Sequence, residues 1–192
     1  MDDVTIRPYR PDDQKAVQDI CIQTSTIPAD TQKDILYLLT MYNDCYTERF
    51  PDYCFVAADQ NDVPIGYILC APDCDAYHAV FRREYLPRLK KRSLSRWFTA
   101  TVASRAEGKQ MRRLARLGYP AHMHIDILDA YQRRGIGTQL FSALTEKLRA
   151  QQITGLCLGV SSGNQKGVSF YKKQGFKTLS HLGGSLMMGI QL

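Results

Sequence analysis

Gln132-Arg133-Arg134-Gly135-Ile136-Gly137-Thr138 stands between residues 121–128, which read as a strand, and residues 135–150, which read as a helix with Ile136, Leu140, Ala143, Leu144 and Leu148 on one face. Where a chain passes from strand to helix, the first N–H groups of the helix lack partners and sit at the positive end of its dipole. Such a turn can hold a pyrophosphate. Glycine at 135 and 137 leaves the main chain open to an anion, and Arg133 and Arg134 add positive charge. Alone, a Gly-x-Gly turn is equally an ordinary connection. A third glycine at the dinucleotide-fingerprint spacing is missing, and no Gly-Lys-Ser/Thr of a P-loop follows.

Outward from this turn, strands and helices alternate. Residues 4–9 alternate apolar and polar up to Pro11, and Asp12 and Asp13 then open a helix carrying Val17, Ile20 and Cys21 on one stripe. Ile35, Leu36, Leu38, Leu39 and Tyr42 predict further helix, as one piece or two short ones. Residues 53–58 and 64–70, joined by Asn61-Asp62, predict a hairpin. Residues 73–117 are mainly helix formers. After the 135–150 helix come a strand at 155–160, a short helix at 168–173 stopped by Gly175, and strands at 177–179 and 186–191 around Gly183-Gly184.

Gln132-Arg133-Arg134-Gly135-Ile136-Gly137 resembles the Gln/Arg-x-x-Gly-x-Gly/Ala signature of GCN5-related N-acetyltransferases. Residues 125–131 resemble that family's preceding strand, with Asp129 where a proline is common. A second match begins 27 residues after Gly137: Asn164, then Tyr171 seven residues on, then Gly175-Phe176. With the Arg7-Pro8 strand and the Pro11 helix start, the resemblance covers most of the chain and fits poorly at about 72–118. Within the family, His122-Met123-His124-Ile125-Asp126 with Leu158-Gly159-Val160-Ser161 looks most like the acetyltransferase-like domain sometimes fused to O-GlcNAc hydrolases, a branch in which some members are thought to have lost catalysis.

The resemblance implies one α/β domain over 1–192. Its central sheet is mixed and mostly antiparallel, of about seven strands flanked by helices, with a basic helical insertion at about 72–118. It implies acetyl-CoA as co-substrate and direct attack by a primary amine. The backbone of Ile127 and Leu128 is then expected to pair with the pantetheine arm. The amides of Gln132, Arg133, Arg134, Gly135, Ile136, Gly137 and Thr138 are expected to hold the pyrophosphate, and the Asn164 side chain to contact pantetheine or phosphate. Asn164 also suits a helix N-cap. Tyr171 falls where the family's tyrosine protonates the departing thiolate; a phenol with pKa about 10 holds its proton at neutral pH and can pass it to a thiolate of pKa about 8.5.

An attacking amine must lose a proton. Side chains two apart on a strand share a face, so His122, His124 and Asp126 line one side of the 121–128 strand. A polar face on a central strand is costly unless it borders a cavity. Asp126 and His124 are therefore nominated as base or substrate-orienting groups, against the reading that they are satisfied buried polar groups. No metal is expected: His122 and His124 show no third ligand, and Cys70 and Cys74 show no second pair.

The 192 residues, 44% of them hydrophobic, suffice for one substantial core. An acidic start, Met1-Asp2-Asp3, and the lack of a long apolar run lead to the expectation of a cytoplasmic protein without a membrane span, its six cysteines free thiols. The net charge of +6 is uneven: residues 82–116 hold twelve basic residues against Glu84 and Glu107, a segment charge of +10 that leaves −4 elsewhere. That segment reads either as a solvated helix face or as a field for anions, so the small-molecule or peptide acceptor is expected to be acidic or phosphorylated. Nucleic acid is disfavoured because few aromatics interleave with the charges. An inactive acyl-CoA-binding domain is the competing reading, and a homodimer is one assembly open to the chain.

Overall fold

The computed structural model describes residues 4–192. In chain order it comprises β1 (Thr5–Pro8), α1 (Gln14–Thr24), α2 (Gln32–Tyr42), α3 (Asp44–Arg49), β2 (Phe55–Ala58), β3 (Pro64–Ala71), α4 (Cys74–Val80), α5 (Leu86–Arg92), α6 (Leu94–Arg116), β4 (Ala121–Ile127), α7 (Ile136–Ala150), β5 (Gly155–Ser161), α8 (Gln165–Lys173), β6 (Lys177–Leu182) and β7 (Ser185–Gln191). The seven strands form one sheet in the order β1-β2-β3-β4-β5-β7-β6, antiparallel everywhere except between β4 and β5. This is the mixed, mostly antiparallel sheet that the motifs imply.

Side-chain oxygens start four of the helices. Thr31 accepts from the Asp34 N–H, Asp73 from Asp75 and Ala76, Ser93 from Arg96 and Asn164 from Gly167, so N–H groups left over in the first turns are satisfied. The 72–118 region is helical as expected, but broken: a single π-helical turn over Phe81–Tyr85 joins α4 to α5, and Ser93 restarts the chain as the 23-residue α6.

The sheet divides the core in two. On one face Tyr67 and Leu69 of β3 pack with Val17, Ile20, Tyr46, Tyr77, Phe81 and Leu89 from the α1–α6 layer. On the other, Ile68 and Cys70 pack with Met123, Leu140, Leu144, Leu156, Val168 and Phe176 under α7 and α8. Burying Leu140, Leu144 and Leu148 stabilises by about 1.5–3 kcal/mol each, which fixes α7 against the sheet and therefore fixes where its N-terminus points. All six cysteines are free and buried, as expected. No helix among the described residues is long and apolar enough to cross a membrane.

Candidate active site

β4 pairs with β3 along its whole length, from Gly66↔Ile127 to Ala71↔His122. Its other edge pairs with β5 only at Ala121↔Leu156 and His122↔Cys157, so the two parallel strands diverge beyond His122. The Leu128 N–H donates to the Ile65 oxygen at 3.0 Å, and groups on an antiparallel strand alternate in direction. Asp126 and His124 therefore direct their main chain toward β3, while Ile125 and Ile127 turn theirs into the gap. The Leu128 oxygen is also committed, to the Tyr131 N–H at 2.9 Å. This corrects the expectation for Leu128: the residue beside Ile127 with open main-chain groups is Ile125, which the sequence reading passed over.

The gap ends at the 132–138 turn, which is exposed apart from half-buried Gly137 and buried Ile136. Gly135 adopts φ +83° and Arg133 φ +62°; only glycine takes the first without strain, while the second costs about 1 kcal/mol or more. The N–H groups of Arg133, Gly135, Ile136 and Gly137 make no hydrogen bond among the described residues. The flanking amides do: Gln132 N–H bonds the Asp129 oxygen at 3.3 Å, and Thr138 N–H bonds the Gly135 oxygen at 3.1 Å. Gln132 serves the turn internally, its side-chain amide donating to Ile127 O at 3.0 Å and Asp129 Oδ1 at 2.8 Å. Gln132 and Thr138 are thus committed, and the open donors are those of Arg133, Gly135, Ile136 and Gly137. Arg134 stacks its guanidinium on the Tyr131 ring, 5.2 Å from the centroid. Gly137 packs closely on α8: a Cβ there would lie 3.1 Å from the Phe170 ring, which would have to give way.

Asn164 Oδ1 accepts from Gly167 N–H at 2.9 Å, so its capping role is present. Tyr171, on α8, is wedged edge-on between Phe170 and Phe176 at 5.4 and 5.6 Å. Burial, reinforced by the charge of Asp126, pushes its phenol well above the usual tyrosine range, so it stays a proton donor at every physiological pH.

On the opposite face of β4, Asp126 Oδ2 accepts from Tyr67 Oη at 2.6 Å and lies 2.9 Å from His124 Nε2. Burial alone would lower the His124 pKa, but the Asp126 carboxylate outweighs it and holds the imidazole near 10. Asp126 thus holds His124 toward its imidazolium form, which disfavours it as a proton acceptor. His122 behaves oppositely: burial lowers it to about 3, and the neutral ring meets Tyr46 Oη at 2.5 Å. Cys21 joins the His124–Asp126 pair, since ligand atoms of Cys21, His124 and Asp126 all lie within 4.8 Å of one another, whereas His122 faces Tyr46 and takes no part.

The sequence reading also missed Glu107. It lies on the inward face of α6, seven residues after buried Ala100 and four before buried Met111. Burial raises its carboxyl to about 7, with the charge of His124 opposing. Its field in turn reaches Tyr42 and Tyr77. An acid in the apolar stripe of a helix was the available signal. The basic residues counted with it point elsewhere: Arg105, Lys109, Arg112, Arg113 and Arg116 are all exposed.

This geometry has relatives. The profile of the Acetyltransferase (GNAT) family matches residues 23–176. The chain belongs to that family. Among solved structures, SsHAT is 27% identical, with a TM-score of 0.84 over 98% of each chain. The PaiA N-acetyltransferase of Thermoplasma acidophilum, in complex with coenzyme A, shares the fold at 14% identity and a TM-score of 0.62 over 99% of each chain. YncA of Salmonella typhimurium, with its cofactor acetyl-CoA, does so at 16% identity and a TM-score of 0.57, over 99% of this chain and 94% of its own. This GNAT chain thus combines the family's sheet with a helical segment, α4–α6, that is basic from Arg82 onward.

Proposed function

We propose that this GNAT protein binds acetyl-CoA in the gap between β4 and β5 and transfers its acetyl group directly to a primary amine. The observation that carries the reading is the row of open donors at 133, 135, 136 and 137, at the start of α7 and at the mouth of the β4–β5 divergence. Those donors would grip the pyrophosphate, and the main chain of Ile125 and Ile127 would pair with the pantetheine arm as an added strand does. The thioester would then lie toward Tyr171 and Asp126, the charge of Asp126 reaching the Tyr171 phenol.

In the transfer, the amine nitrogen attacks the thioester carbonyl, a C–N bond forms and the C–S bond breaks. Tyr171 protonates the departing thiolate and is reprotonated by the second proton that the nitrogen sheds on becoming an amide. The acceptor enters from the α1–α6 side, where Glu107 and Asp126 give the wall a negative character and Tyr42 and Tyr67 give it aromatic faces 5.5 and 6.1 Å from His124. Such a wall suits an ammonium group rather than the acidic acceptor that net charge suggests. Glu107, poised near neutrality, takes the proton that the ammonium must lose, and the His124–Asp126 pair orients the approach.

The test is a thermal shift with acetyl-CoA followed by thiol release across an amine panel. Ligand at about 100 times its dissociation constant stabilises by about 2.7 kcal/mol. Stabilisation with thiol release that Tyr171→Phe abolishes supports the enzyme. Stabilisation without release for any amine makes the chain a binder, and no stabilisation overturns the reading.

A further inference from the structure

Apart from the active site, α6 carries a surface that transfer does not use. At 100° per residue, Leu94, Phe98 and Val102 fall on one outward stripe, and they are 66%, 65% and 53% exposed. Continuing along the same stripe toward the C-terminus come Arg105, Lys109, Arg112, Arg113 and Arg116, all exposed and without an ion pair among the described residues. Nearer the start of the segment three of the basic residues are paired, Arg83 with Glu84, Arg88 with Glu48 and Arg96 with Asp34. One helix face is thus apolar for about 12 Å and then cationic for about 16 Å, at 1.5 Å rise per residue. Beside the cationic half runs a surface groove of about 770 Å³, lined by Lys109, Arg112, Arg113 and Arg116 and closed by Leu117 and Leu182 of β6. Gln110 fastens the groove's floor by a hydrogen bond to Ser180.

We propose that the outward face of α6 is a docking surface for an acidic protein segment that carries apolar anchors at one end and a run of carboxylates at the other. Charge complementarity selects the occupant. Five cations within one arc and without internal acids repel one another, a cost that an anionic partner relieves. The apolar half selects against nucleic acid, because three exposed aliphatic and aromatic side chains in line have nothing to gain from a phosphate backbone and only one of them can stack on a base. The axial order selects against a membrane surface. A helix lying in a bilayer interface keeps its charges on the side opposite its apolar stripe, whereas here both occupy the same stripe, and seating the apolar half would press the cations toward the acyl chains. A protein segment meets both halves in sequence, with anchors in the apolar part giving affinity and carboxylates giving register and fast association. This inference does not depend on the acetyl-transfer reading.

The test is fluorescence anisotropy of the full chain with a labelled peptide of three leucines spaced four apart followed by a run of glutamates. A peptide of the same composition with leucines and glutamates intermixed is the control. The expected result is that the ordered peptide binds about tenfold more tightly than the mixed one. Phe98→Ser and the pair Arg112→Ala with Arg113→Ala each remove that preference, and only the arginine pair lessens the salt dependence. All three residues are exposed, so unchanged melting temperatures confirm that the variants fold. Equal binding of the two peptides, or no binding, overturns the proposal. So does tighter binding of an RNA duplex, or sedimentation with vesicles of anionic phospholipid that Phe98→Ser abolishes.

Discussion

The proposed cofactor turn at 132–138 and the proposed acceptor wall around Glu107 and Asp126 are built in opposite ways. The turn is contiguous and works through its main chain, so its requirements reduce to glycine at 135, where φ is +83°, and a small residue at 137, where a side chain would press on the Phe170 ring. The wall is assembled from α1, α2, α6, β3 and β4 and works through side chains whose ionisation depends on one another. An anion site made of backbone tolerates almost any neighbouring side chain. A proton-handling site does not, because removing one charge moves the pKa of the next.

That difference predicts separable effects. Tyr171→Phe should lower kcat by about 10²- to 10⁴-fold, the range for general acid catalysis, while the acetyl-CoA thermal shift stays within a degree of wild type. Gly137→Val should do the reverse of a clean catalytic change. The new side chain meets Phe170 and destabilises by about 1–3 kcal/mol, and acetyl-CoA affinity falls because α7 is pushed off its seat. Glu107→Gln should remove a rising limb of kcat/KM near pH 7 and leave acetyl-CoA binding intact.

The same variant carries a stability signature with a definite sign. The folded protein holds the Glu107 proton up to about pH 7, whereas its ordinary value is 4.5. Stability referred to this group is therefore full below about 4.5 and falls as pH rises through 7. Glu107→Gln abolishes that decline, so its melting temperature should gain on wild type as pH goes from 5 to 8, read by calorimetry at both values. The smallest effect expected is for Asn164→Asp. It retains the cap oxygen for Gly167 and should cost under about 0.5 kcal/mol, while any loss of acetyl-CoA affinity reports the lost amide donor.

Much of the fold was legible because its signals are local. Pro11, Asp73, Asn164 and Gly175 punctuate the helices where they stand, and the two family motifs bracket α7 and α8 in the right order. Legibility failed where partners are distant in sequence. Leu128 looked available beside Ile127 until β3 was seen to take its N–H through Ile65. His124 and Asp126 read as base or orienting groups with nothing to tell the roles apart until their ion pair was seen, and Cys21, far earlier in the chain, gave no hint of lying against both. The basic segment misled for a simpler reason: a sum over residues 82–116 has no direction, and only the helix phase separates Glu107, facing in, from Arg112 and Arg113, facing out.

Amide hydrogen exchange with and without acetyl-CoA, resolved over 125–138, tests the account most directly. Acetyl-CoA should slow exchange at Arg133, Gly135, Ile136 and Gly137 and at Ile125 and Ile127, and leave Leu128 and Thr138, already paired within the protein, unchanged. Protection confined to other parts of the chain, or no slowing at 133–137 while the ligand is bound, would contradict it.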